Sequence, residues 1–195
     1  MFNPLDVFMS WAARKGLDKL HAKITNWFAK PNERGVLIIG PGGVGKTTLG
    51  YILSGEGDKS ASGDYLESVS TEEFKLESNM SVQIVIPPGQ SHRRKATWDQ
   101  RLEEVIEGKF RGVIVILAYG HHALGDISYK DHRLYDSTSG LDDFVPKYLK
   151  ECLKSELAVM DLICEAVKRC AKPIWILTLV TKQDLWWDQR ELVQK

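Results

Sequence analysis

Apolar residues along this chain follow two patterns, short unbroken runs and longer stretches with apolar positions three and four apart. Val36-Leu37-Ile38-Ile39, Val113-Ile114-Val115-Ile116-Leu117 and Ile174-Trp175-Ile176-Leu177-Thr178-Leu179-Val180 are apolar almost throughout. Runs of this kind predict strands covered on both faces, as in the middle of a parallel sheet. Residues 71–76 and 82–86 alternate or carry β-branched side chains on either side of Glu77-Ser78-Asn79-Met80, which predicts an antiparallel hairpin. Helical spacing marks three other stretches. Trp98, Leu102, Val105 and Ile106 share one face of residues 97–107. Tyr148, Leu149, Cys152, Leu153, Leu157, Met160, Ile163, Cys164 and Val167 do the same over 142–170. The third stretch, 5–29, places Leu5, Phe8, Met9, Ala12, Ala13, Leu17, Leu20, Ile24, Trp27 and Phe28 at helical positions between Asn3-Pro4 and Pro31. Strands and helices in this order predict an α/β domain over 34–195. Its central sheet is mostly parallel with helices on both faces, and an amphipathic helix precedes it within 1–33. A chain of 195 residues, 43% of them hydrophobic, is large enough to bury one such core.

The first apolar run leads directly into Gly40-Pro41-Gly42-Gly43-Val44-Gly45-Lys46-Thr47, the phosphate-loop pattern G-x-x-x-x-G-K-[ST], and helical residues follow it. The pattern reflects the chemistry of a polyphosphate. The backbone of Gly42, Gly43, Val44 and Gly45 can turn its N–H groups inward, and the helix N-terminus adds partial positive charge to that anion nest. Lys46 brings a point charge to the β- and γ-phosphates, and the Thr47 hydroxyl is placed to ligate Mg²⁺. Thr48 completes the segment and packs or caps.

Charge changes the picture little. Lys plus Arg and Asp plus Glu both number 26, so no nucleic-acid partner is predicted. The N-terminal stretch is the exception, with Arg14, Lys15, Lys19, Lys23 and Lys30 against Asp6 and Asp18. Its apolar stripe is expected to pack on the domain or a protein partner, with peripheral contact to a membrane surface as the alternative. No apolar run reaches the roughly 18 residues of a membrane span, and no signal-peptide pattern or N-terminal glycine for acylation is present, so a cytoplasmic location is expected. Cys152, Cys164 and Cys170 lack C-x-x-C spacing and read as reduced thiols packed in one helical stretch. Residues 54–70 are rich in Gly, Ser and Asp and read as a mobile loop. Residues 119–141 read as a loop near the C-terminal end of a central strand, where ligand sites of open sheets gather. It contains His121, His122, Asp126, Asp131 and His132, whose irregular spacing favours a solvated or partner-facing insert over a metal or catalytic cluster.

With two later motifs, the phosphate loop resembles the Ras-like small GTPases over about 34–190. Where that family has D-x-x-G-Q, this chain has Ile86-Pro87-Pro88-Gly89-Gln90. Where it has N-K-x-D, this chain has Thr181-Lys182-Gln183-Asp184. The resemblance implies that the Gly89 N–H meets the γ-phosphate, that Gln90 is the catalytic residue orienting the attacking water, and that Lys182 and Asp184 select guanine. It implies GTP or GDP and Mg²⁺ as ligands. Ile86 cannot accept a hydrogen bond from a metal-bound water, a loss some bacterial members tolerate before Pro-Gly-Gln, and Thr181 lacks the amide that ties the base pocket together. Ser68, Ser70 and Thr71 are candidates for the family's switch threonine. The final strand and helix of the family have no room before Lys195. The function implied is a guanine-nucleotide switch with slow GTP hydrolysis, acting on a protein effector through loops at 54–71 and 89–96; His92-Arg93-Arg94-Lys95, in the second, reads as a solvated helix start. A non-hydrolysing GTP- or GDP-bound assembly module is the alternative, and an ATPase or small-molecule kinase a third.

Overall fold

The structure, a computed structural model, describes residues 35–58, 70–75, 82–89, 91–124 and 127–189, with the backbone alone at 91–96. The predicted N-terminal helix lies outside them. In chain order the elements are β1 (Gly35–Ile39), α1 (Lys46–Leu53), β2 (Glu72–Lys75), β3 (Gln83–Ile86), α2 (Ser91–Ile106), β4 (Phe110–Leu117), α3 (Gly140–Lys168), β5 (Trp175–Val180) and the short α4 (Gln183–Trp186). The strands form one five-stranded sheet in the order β2-β3-β1-β4-β5. β3, β1, β4 and β5 run parallel, and β2 is antiparallel to β3 with Glu72 opposite Ile86 and Phe74 opposite Ile84.

Two of the three apolar runs, β1 and β4, lie inside the sheet as expected, but the third does not: β5 is an edge strand with Ile176 43% exposed, because its outer side meets no further strand among the described residues. Leu37, Ile38 and Ile39 of β1, and Val113, Ile114, Val115 and Ile116 of β4, are wholly buried because helices cover both faces. Each such side chain contributes about 1.5–3 kcal/mol on burial. On one face Leu49 and Leu53 of α1 pack with Ile38, Ile84, Ile86, Ile114 and Ile116, with Phe74 of β2 and Leu177 and Leu179 of β5 at the margins. On the other, Trp98 and Val105 of α2 and Val159, Ile163 and Ala166 of α3 cover Leu37, Ile39, Val113 and Val115. The result is a mixed α/β layer structure consistent with a P-loop-like fold, and all parallel strands end on the side where the β1–α1 loop lies.

Two readings of periodicity need correction. The α2 helix begins at Ser91, well before 97, so the basic segment 92–95 is already helical backbone. In α3 the buried positions are Phe144, Cys152, Glu156, Val159, Ile163 and Ala166, whereas Leu157 is 65% exposed and Cys164 is exposed. The predicted stripe was too wide because apolarity alone selected it. A buried glutamate sits in the true one, and Cys164 is not a packed thiol. Cys152 is buried, which pushes its thiol pKa up.

Candidate functional site

The phosphate loop is built as its sequence requires. It leaves β1 at Gly40, turns through Gly43 at φ 72° and Gly45 at φ 93°, and enters α1 with Gly45 as N-cap. Both angles are left-handed and costly for a side-chain-bearing residue. A Cβ on Gly45 would meet nothing within 4 Å, so the loop there borders open space. A Cβ on Gly43 would stand 2.6 Å from the Ala123 nitrogen, whose N–H donates to the Gly43 carbonyl at 3.1 Å. Lys46 is buried, and its Nζ donates to the Pro41 carbonyl at 2.7 Å. Gly89 is buried beside it: a Cβ there would overlap the Lys46 ammonium and come within 2.6 Å of the Pro41 carbonyl. Glycine at 89 therefore lets the chain after β3 touch the lysine of the phosphate loop. That turn is held from behind by Trp98, whose indole N–H donates to the buried Pro88 carbonyl at 2.8 Å. Thr48 is exposed and its side chain does not pack.

Thr47 does not face an acid from β3, because Ile86 is wholly buried and its Cδ1 would lie 2.7 Å from a Cβ on Gly50 of α1. The Thr47 Oγ1 instead donates to Glu72 Oε2 at 2.9 Å. The hydroxyl and the carboxylate are oxygen donors of the kind hard cations such as Mg²⁺ accept, so the residues present fit that ion. Among the described residues no three His, Cys, Asp or Glu side chains are grouped to share a metal. Gln90 and Ser68 lie outside the described residues; Ser70 is exposed and Thr71 half-buried just before β2.

At the end of β5 the missing amide has a substitute. The Thr181 hydroxyl lies 2.8 Å from the Val44 carbonyl of the phosphate loop and 3.0 Å from the Leu117 carbonyl of β4, and its backbone N–H donates to Leu117 at 2.8 Å. The Trp186 indole closes the same turn, donating to the Thr181 carbonyl at 2.6 Å. Lys182 is the left-handed N-cap of α4, at φ 55°. Its burial pulls the ammonium pKa down while Asp184 works against that shift. Asp184 is exposed in the first turn of α4. Thus Lys182 and Asp184 are bound through Thr181 to the same loop that carries Lys46 and Thr47.

The first residues after β4, 119–124, are packed rather than solvated, while most of 127–139 is exposed as expected of an insert. The side chains of His122 and Glu156 are 7% and 6% exposed, and the His122 Nε2–H donates to Glu156 Oε1 at 2.8 Å. The same carboxylate oxygen accepts the Ala118 N–H at 2.7 Å and the Gly120 N–H at 3.2 Å. Glu156 thus fixes the exit of β4, and Ala123 then meets Gly43. His121 lies near Lys182 and Asp184, its pKa lowered by burial first and by the Lys182 charge second. Further along, His132 packs edge-on against Phe144 and Tyr148. Glu72, Trp98, His122 and Glu156 were not found as site residues from sequence. His122 stood in the irregular histidine cluster and Trp98 on an apolar helix face, and Glu156 stands at four-three spacing with Cys152, Val159 and Ile163.

No protein-family model matches this chain, and no curated protein matches it. Among solved structures, the structure of the mammalian SRP receptor is similar over 82% of this chain and 100% of that chain, at 16% identity and a TM-score of 0.34. A likeness this remote assigns no family, and the reading of the site rests on its own geometry. No helix among the described residues is long and apolar enough to cross a membrane.

Proposed function

We propose that this protein binds a guanine nucleotide in a P-loop NTPase domain, with its phosphates over residues 40–47 and its base against Lys182 and Asp184. The bond from Thr181 to Val44 carries the reading, because it joins the base-side turn and the phosphate loop into one site. Each part has a chemical task. The open turn at Gly45, at the N-terminus of α1, suits an anion, the nearby Lys46 ammonium would offset phosphate charge, and the close approach of Gly89 to Lys46 supports a role for its N–H in sensing a γ-phosphate. A carboxylate at 184 accepts the paired donors of guanine, and adenine would leave it unpaired. Titration calorimetry with GTP, GDP, ATP and ADP tests the assignment. Guanine nucleotides should bind at least tenfold tighter, and Asp184→Ala should erase the difference; equal affinities in the native protein would overturn it.

On this reading Gln90, next to Gly89, orients water for slow GTP hydrolysis, and the segments at 54–71 and 89–96, the second running from the Gly89 turn into the start of α2, report the bound state to a protein effector. A second reading, a module that holds GTP or GDP without turnover, is favoured by the aliphatic Ile86. Single-turnover release of phosphate from pre-bound GTP separates them. Release that Gln90→Ala slows supports the switch, and none over hours supports the module.

A further inference from the structure

The position that lacks an acid has one directly beside it. Ile86 is turned into the core against Gly50, but Glu72 is its partner across the antiparallel ladder, and opposed residues of such a pair project from the same face of the sheet. That is the face on which α1 lies, and the Glu72 carboxylate reaches the Thr47 hydroxyl in its first turn at 2.9 Å. We propose that Glu72 supplies, from the neighbouring strand, the carboxylate of a Mg²⁺ site built on Thr47.

The proposal rests on the nucleotide reading above and follows from how a metal-bound hydroxyl behaves. A cation on Thr47 Oγ1 takes a lone pair and leaves the hydroxyl proton in need of an acceptor. Glu72 already receives that proton, so this hydrogen bond is retained when the ion binds. An ionised carboxylate has about four acceptor sites, and its oxygens are the acceptors that the waters Mg²⁺ keeps in its shell require. The extra methylene of glutamate over aspartate gives the reach needed from β2. Charge sets a sign that a merely structural role would not. Without the cation, Glu72 adds negative charge beside the phosphates and opposes binding; with it, Glu72 strengthens binding.

The test follows release of a fluorescent GDP from the full chain as Mg²⁺ is added back after chelation. In the native protein Mg²⁺ should slow release. In Glu72→Gln, which keeps an oxygen acceptor for Thr47, release under chelation should be equal or slower. The Mg²⁺ concentration for half effect should rise about tenfold, the low end for loss of a group that orients metal ligands. An unchanged Mg²⁺ midpoint in a folded Glu72→Gln protein overturns the proposal. Should that variant fail to fold, Mn²⁺ with GDP should broaden the carboxyl carbon resonance of Glu72 in the native protein, and an unbroadened signal overturns it. Magnesium-dependent binding that responds to Glu72 but prefers ADP keeps the metal assignment and removes the guanine reading. No binding of either nucleotide removes both.

Discussion

Replacing Thr181 by valine isolates the bond that joins the two halves of the site. Valine keeps the branched shape and removes the hydroxyl. That hydroxyl carries one proton, so although two carbonyls lie within 3.0 Å it makes one donor bond at a time. The Leu117 carbonyl keeps the Thr181 backbone N–H at 2.8 Å, so the loss falls mainly on Val44. One net hydrogen bond contributes about 1 kcal/mol, and a methyl group set against a part-buried carbonyl raises the cost toward about 2 kcal/mol. For a domain of this size that is a fall in melting temperature of roughly 2–8 °C. Thermal and urea unfolding of the nucleotide-free protein measure it, with Thr181→Ser, which keeps the hydroxyl, as control. Because the bond links base turn and phosphate loop, GDP affinity should also fall in Thr181→Val, while binding of inorganic triphosphate changes less. A valine variant as stable as the serine one, with GDP affinity unchanged, would refute the role assigned to this contact.

Glu156→Ala removes the shared acceptor of Ala118, Gly120 and His122, and should cost about 3 kcal/mol in urea unfolding, with Glu156→Gln milder. Gly43→Ala should destabilise more than Gly45→Ala, since both residues have positive φ but only a Cβ at 43 collides with Ala123; melting curves of the pair rank them. Trp98→Phe should lose about 1–2 kcal/mol through the Pro88 carbonyl, read by the same unfolding assay. His132 has a folded pKa below its ordinary value, first through burial and then through the Arg133 charge, and its Nδ1 accepts the Leu134 N–H at 3.2 Å, which requires the neutral ring. The unfolded chain therefore binds the proton more readily. The contribution of His132 is complete above about pH 6.5 and is lost as pH falls through the lower folded value. His132→Phe should flatten that slope in unfolding measured between pH 5 and 7.5.

Much of the fold was legible because its signals are local. A continuous run such as 113–117 reads as a strand and proves buried on both sides, whereas the equally continuous 174–180 forms the edge strand β5, because place in the sheet is not written in the run; the Gly-rich pattern after Ile39 names its own turn. Helix faces were harder. Leu157 and Cys164 are apolar yet exposed, and Glu156 is charged yet buried, because burial depends on where the sheet lies rather than on residue type. The candidate site was legible only in its loops. Lys46, Thr47, Lys182 and Asp184 announce themselves by spacing. Trp98, behind Pro88, looks like any other core aromatic until the fold brings it there.

By itself the amino-acid order determined the strand–loop–helix unit at 36–53, the alternation of strands and helices, and the glycine turn between β1 and α1, since each depends on residues adjacent in the chain. Only the tertiary structure decided what stands beside what. Two expectations drawn from sequence looked like losses, an amide missing at 181 and an acid missing at 86. In the fold Thr181 reaches Val44 from a distant strand end, and Glu72 comes to Thr47 from the strand next to Ile86. The physical reason is that a hydrogen bond needs an oxygen at the right distance and takes no account of the segment that delivers it.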